Sequence, residues 1–267
     1  MELRPLGGTG LSVSPIGLGT VKFGRTEGLK YPTGDSLPDD AALRRLLERA
    51  VELGINLLDT APAYGSSEER LGRLLRGSRA RWVLASKAGE EFADGASRFD
   101  FSAAAVIASV ERSLRRLGTD CIDLLLLHSD GGDETQARFG HAIDALARLK
   151  QQGKLRAVGL SSKTVAGGLL AVEAMDVAMV TLNRDETADR AVIAAAHRAG
   201  KGILIKKALA SGRSAAALQA AMALIFAEVG VGAAVVGTLD PDHLAADVRA
   251  AEIALRRPAP PADGALP

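Results

Sequence analysis

At 267 residues and 47% hydrophobic content, the chain can bury a large core, and 33 Lys plus Arg against 32 Asp plus Glu leave no net field of either sign. That balance argues against nucleic-acid or membrane-surface partners and leaves small molecules or another copy of the chain. The lone Cys121 excludes an intramolecular disulfide framework and suits a reducing compartment.

The opening MELRPLGG lacks a signal peptide's apolar stretch, and no run of about 20 apolar residues could span a bilayer. The expectation is a cytoplasmic protein, monomeric or weakly self-associating. LRPLGGTGLSV reads as a β-hairpin around a Gly-containing turn. Short runs rich in Val, Ile and Leu follow at 15–20, 56–61, 82–87, 122–128, 155–161, 177–182, 202–207 and 233–238. Their continuous apolar character suits strands covered on both faces. Between them, apolar residues recur at helical spacing: Leu43, Leu46, Leu47 and Ala50; Ile107, Val110, Leu114 and Leu117; Leu218, Ala221, Met222 and Ile225. Pro38 with Asp39 and Asp40, and Asp100 or Ser102, mark helix starts, while Gly54, Gly118, Gly153 and Gly200 sit where helices should stop.

Eight βα repeats close most simply into a (β/α)8 TIM barrel with an N-terminal β-hairpin, one domain over residues 1–255, followed by a poorly ordered Pro/Ala-rich tail at 256–267. A doubly wound open sheet is the competing architecture, but no GxGxxG follows an early strand.

Barrel chemistry belongs at the C-terminal strand ends. Asp59 ends the second run, Tyr64 lies five residues on, Lys87 ends WVLAS, and His128 ends IDLLLL. Each alone has an ordinary reading: a turn cap, a packing ring, a solvated amine, a core imidazole bonded to carbonyls. Converging at one barrel mouth, they would form a proton-donating site. A carbonyl that accepts hydride develops negative charge on oxygen and needs a proton donor. An ammonium at Lys87 would pull the phenol pKa of Tyr64 down, Asp59 would keep Lys87 protonated, and His128 would orient the substrate oxygen or share the proton transfer.

Several segments carry a resemblance to the aldo-keto reductases over nearly the whole chain. GINLLDTAPAYG resembles the family's aspartate and tyrosine segment, ASKAG its lysine strand, SLRRLGTDCIDLLLLHSD its signature leading to the histidine, and GKLRAVGLSS the next strand. The resemblance implies a (β/α)8 barrel that reversibly reduces small-molecule aldehydes or ketones, with Asp59, Tyr64, Lys87 and His128 at the catalytic tetrad positions. It also implies cofactor contacts from Gly19, Thr20, Asp59, Ser161 and Ser162, the two serines holding the nicotinamide carboxamide. Thr181 stands where the family usually has a glutamine, and Lys206 where it often has a tyrosine stacked on the ring. The stem of Lys206 covers the ring in one reading; in the other, Lys206 is a solvated partner of Lys207.

VVGTLDPDHL is similar to the family segment around the adenosine phosphate, with the amides of Gly237 and Thr238 near a helix start and His243 where an arginine is common. NADPH is the cofactor the resemblance implies; because Gly237 replaces a lysine frequent in NADP-specific members and Asp240 opposes an anion, NADH is also allowed. The stretch from Lys207 to Leu218 is shorter than the family loop over the pyrophosphate, which implies weak binding and fast release. Residues 89–101 are expected to form one pocket wall, their acidic excess disfavouring a strongly anionic substrate. No metal site is evident. Two other readings remain: a nucleotide-sensing barrel with little turnover, and an aldolase-type barrel with Lys87 as Schiff-base amine.

Overall fold

The computed structural model describes residues 1–28, 36–132, 134–209 and 214–256. The chain opens with a hairpin, β1 (Arg4–Pro5) against β2 (Ser12–Val13), and continues through β3 (Ile16–Gly19), α1 (Val21–Gly24), α2 (Asp40–Glu52), β4 (Leu57–Asp59), α3 (Ser67–Leu74) and β5 (Val83–Ala88). A second hairpin, β6 (Glu90–Ala93) and β7 (Ala96–Phe99), precedes α4 (Ala103–Leu117), β8 (Ile122–His128), α5 (Gln136–Gln151), β9 (Leu155–Ser161), α6 (Val165–Ala174) and β10 (Val177–Thr181). Then come α7 (Arg190–Arg198), β11 (Gly202–Lys206), α8 (Ala215–Phe226), β12 (Val231–Val236) and α9 (Pro241–Arg256).

Strands β3, β4, β5, β8, β9, β10, β11 and β12 pair in parallel, in that order, and β12 returns to β3, closing the (β/α)8 barrel. Two apolar layers hold it together. The outer one lies between strands and helices, where Leu43, Leu46, Leu47 and Ala50 of α2 are buried as their spacing predicts. The inner one fills the barrel with Leu57, Leu124, Leu126, Val177, Leu204 and their neighbours, and Leu6, Leu11 and Val13 of the N-terminal hairpin join it. The hairpin therefore plugs the barrel from below, leaving the C-terminal strand ends to open outward.

Local signals act where expected. The Asp39 carboxylate accepts from the Ala42 amide at 2.6 Å to start α2, Ser102 caps α4, and Gly54, Gly118, Gly153 and Gly200 all take positive φ after helices. Three details differ from the sequence reading. In α4 it is Val106 that faces the core, while Ile107 is 37% exposed. The last strand starts at Val231 rather than 233, completing its apolar run. Helix α3 and the β6–β7 hairpin had no apolar signature: α3 buries Ser67, Glu68 and Arg70 beside Leu71, a face satisfied by hydrogen bonds rather than by hydrophobic contact. The tail beyond Arg256 and residues 210–213 lie outside the described residues. Among those described, no helix is long and apolar enough to cross a membrane.

Candidate active site

Residues two apart on a strand share a face. Leu57, Ala85, Leu126, Ala157 and Leu204 point into the inner core. Continuing by twos carries Asp59, Lys87, His128, Ser161 and Lys206 inward at the C-terminal ends of β4, β5, β8, β9 and β11. These five, with Gly19, Thr20, Tyr64 and Gly237, line one cavity of about 630 Å³.

Tyr64 reaches the cavity from a single 3-10 turn, Pro62–Tyr64, begun by a proline whose missing N–H costs nothing there. Two glycines seat that turn. Gly65 has φ 59°, and a Cβ on it would stand 2.0 Å from the Gly24 carbonyl oxygen; a Cβ on Gly24 would stand 2.4 Å from the carbonyl of Tyr64. Only bare backbone lets the end of α1 press against the tyrosine turn.

The Lys87 ammonium donates to Asp59 Oδ1 at 2.6 Å and to the Thr60 carbonyl at 2.9 Å, and lies 4.8 Å from the centroid of the Tyr64 ring. Burial alone would discharge Lys87, but the Asp59 carboxylate and the Tyr64 oxygen outweigh it and hold the amine above its ordinary pKa. Burial pushes the Tyr64 phenol up; Lys87 opposes that shift, and the Asp59 and Glu90 charges reinforce it. The expectation that Lys87 pulls the phenol below its usual value is therefore corrected: the ammonium offsets only part of the desolvation.

The His128 ring meets Tyr64 edge to face, centroids 6.2 Å apart. Its Nδ1 is 2.6 Å from Glu90 Oε2, a close contact off the ideal hydrogen-bond line. Burial, with help from Lys87 and Lys206, lowers the His128 pKa despite Glu90. Glu90 overcomes its own burial through His128, Ser97 and Lys163, and falls to about 2.

Across the cavity, Lys206 donates to Ser161 Oγ at 3.0 Å and to the Ser162 carbonyl. Burial lowers its pKa to about 7, helped by Lys207, Lys87 and Lys163 and opposed by Glu134. Lys206 is an internal amine, and the solvated reading fails.

The aldo/keto reductase family model matches residues 15–213. This chain belongs to the aldo/keto reductase family. A candidate aldo-keto reductase of Pseudomonas aeruginosa, known by crystal structure, is 54% identical with a TM-score of 0.88, over 95% of this chain and 96% of that one. The holo form of an aldo-keto reductase from Bacillus halodurans is 27% identical with a TM-score of 0.78, over 94% and 91%. Among curated proteins, L-galactose dehydrogenase of Arabidopsis thaliana is 38% identical over 166 residues, 60% of this chain and 48% of its own length. An aldo-keto reductase of Bacillus subtilis is 32% identical over 169 residues, 62% and 48%. The chain thus spans about half the length of these curated relatives.

In this aldo-keto reductase, the four tetrad positions and Gly19, Thr20, Ser161, Lys206 and Gly237 share the cavity wall, whereas Ser162, Thr181, Thr238 and His243 do not line it. Thr181 is buried, and its amide donates to Asp189 at 2.9 Å. The amides that open α9 are already engaged: Asp240 Oδ1 accepts from Asp242 at 2.8 Å and from His243 at 3.3 Å. The first amides of α9 are thus capped by a carboxylate of the chain; the expected anion contacts are the amides of Gly237 and Thr238, which precede it. Residues 89–101, expected to form one pocket wall, do not line this cavity; sequence reasoning missed the contact of Glu90 with His128 and passed over Lys163 and Asn183, which do line it. The sole signal for Glu90 was its place three residues after Lys87. Among the described residues, no group of three or more His, Cys, Asp or Glu side chains is arranged to hold a metal ion.

Proposed function

We propose that this reductase, a single barrel domain over residues 1–255, reduces aldehydes or ketones with hydride from NADPH, NADH also being accepted, and that Tyr64 protonates the carbonyl oxygen. The observation that carries this is the buried Lys87 ammonium, bonded to Asp59 at 2.6 Å and set 4.8 Å from the Tyr64 ring within the cavity.

The donor set fits the cofactor. The cationic side chains of Lys163, Lys206 and Lys207 suit a pyrophosphate, and Val21, Met179, Leu209 and Val235 offer apolar surface to a flat ring. Ser161, in the cavity wall with its Oγ accepting from Lys206 at 3.0 Å, offers a hydroxyl that a carboxamide can engage. The nicotinamide, when bound, supplies the hydride.

The protein's own work is the proton. With its pKa raised, Tyr64 stays a protonated donor at neutral pH. An alkoxide is a far stronger base than a phenolate, so transfer from Tyr64 runs downhill once charge builds on the substrate oxygen. Lys87, kept charged by Asp59, steadies the phenolate left behind. The same pairing denies Lys87 the lone pair that imine formation needs, which weighs against the Schiff-base reading.

The test is NADPH oxidation over an aldehyde panel. Tyr64→Phe should cut kcat/KM by roughly 10²–10⁴ with NADPH binding retained. Equal rates for wild type and variant, with the nucleotide still bound, would favour the sensing barrel.

A further inference from the structure

Lys206 closes β11 with its side chain in the barrel mouth, and the next residue leads the chain away. Lys207 is exposed and takes φ 55°, and its carbonyl accepts from Asn183 Nδ2 at 3.2 Å, which holds the turn. Lys206 Nζ donates to Ser161 Oγ at 3.0 Å and to the Ser162 carbonyl. An ammonium has three N–H groups to satisfy, whereas a neutral amine has two and a lone pair. Two acceptors complete the amine, and the third N–H of an ammonium meets none among the described residues. The hydrogen-bond set fits the neutral form, and its lone pair is left unclaimed in the wall of a cavity of about 630 Å³.

The surrounding charges agree. Lys87 from β5, Lys163 from the loop after β9 and Lys207 from the turn after β11 repel a positive charge there, and Glu134, just ahead of α5, attracts one. His128 from β8 and Asp189 at the start of α7 also feel Lys206. Both hydrogen-bond partners of Lys206 are neutral, and with a pKa of about 7 roughly half of the amine is uncharged at neutral pH. Lys87 is the opposite case, its lone pair kept protonated by Asp59 at 2.6 Å.

We propose that Lys206 is a covalent capture site for aldehydes, which its amine holds inside the cavity as a reversible imine. The nitrogen lone pair forms the C–N bond as the carbonyl π bond breaks, giving a carbinolamine. The two amine protons pass to the former carbonyl oxygen, which leaves as water, and nothing is oxidised or reduced. Ser161 Oγ, bonded to the nitrogen and itself in the wall, is placed to relay one of them. Aldehydes are the class rather than ketones, because an enclosed amine reaches the less crowded carbonyl. The step uses no hydride, so it stands or falls apart from carbonyl reduction.

Pyridoxal 5′-phosphate is the probe: an aldehyde whose imine absorbs in the visible, with a phosphate that suits Lys163 and Lys207 in the same wall. The full-length protein, without added nucleotide, is exposed to it briefly near neutral pH, reduced with borohydride and mapped by tandem mass spectrometry. The expected result is a dominant label on Lys206, at least about tenfold above any other lysine, since an ordinary lysine is uncharged there in only about one molecule in a thousand. Label and visible band should vanish in Lys206→Met and persist in Lys207→Met, and the trapped label should reach half its maximum near pH 7. Label spread over surface lysines, label on Lys207 or Lys87 in place of Lys206, or a label unmoved in Lys206→Met overturns the assignment.

Discussion

Lys87 and Lys206 lie at the C-terminal ends of β5 and β11, strands four places apart in an eight-membered ring, and so face each other across one cavity. Both amines are desolvated, yet Lys87 is held above its ordinary pKa and Lys206 falls to about 7. The difference is one carboxylate. Asp59 touches Lys87 at 2.6 Å, whereas among the described residues Lys206 donates to a hydroxyl and a carbonyl oxygen. Burial sets the default for a lysine, and a contacting carboxylate reverses it. One wall of the site therefore carries a fixed charge, and the opposite wall a charge that titrates near neutrality.

Breaking the fixed side should have the largest effect. Asp59→Asn or Lys87→Met leaves a buried charge unpaired, and each should cost about 3–5 kcal/mol in urea unfolding along with most activity. The double variant should recover most of the stability and none of the turnover. Full activity in Lys87→Met would remove the contrast between the two walls.

The titrating side gives a pH signature. Free Lys206 titrates near 10.5 and folded Lys206 near 7, so between these values the unfolded chain binds more protons and stability rises with pH. Below about 7 the burial penalty is constant and greatest. Lys206→Met should stabilise the fold by on the order of a few kcal/mol near pH 6, a gain that shrinks toward pH 10. Denaturation midpoints measured across that range check the sign, and a gain that grows with pH would show the amine paired.

Next comes the seat of the tyrosine. Gly65→Ala forces a side chain into positive φ against the Gly24 carbonyl; it should cost about 1–3 kcal/mol in melting experiments and lower kcat more than it raises KM. The smallest effect belongs to the turn before α9. Asp240→Asn should raise NADPH affinity a few-fold while leaving NADH unchanged, as read by fluorescence titration, because an exposed carboxylate repels the 2′-phosphate only weakly.

Much of this was legible beforehand. Eight apolar runs became eight barrel strands because burial on both faces leaves a continuous hydrophobic signature. Asp59, Lys87 and His128 could be read as strand-end residues, and alternation by twos turns them inward. Helix α3 was not legible, because Glu68 buries itself against Ser86 Oγ at 2.7 Å rather than against apolar neighbours. Nor was the contact of Glu90 with His128, because it depends on the pairing of β6 with β7 and not on any local pattern.

The chain's order of residues alone determined the barrel, the N-terminal hairpin and the set of polar groups at the barrel's mouth, since hydrophobic period and strand alternation are local properties. Tertiary structure decided what those groups are chemically. Whether a lysine keeps its proton and whether a phenol is a stronger or weaker acid depend on burial and on partners distant along the chain, and electrostatics acts through space.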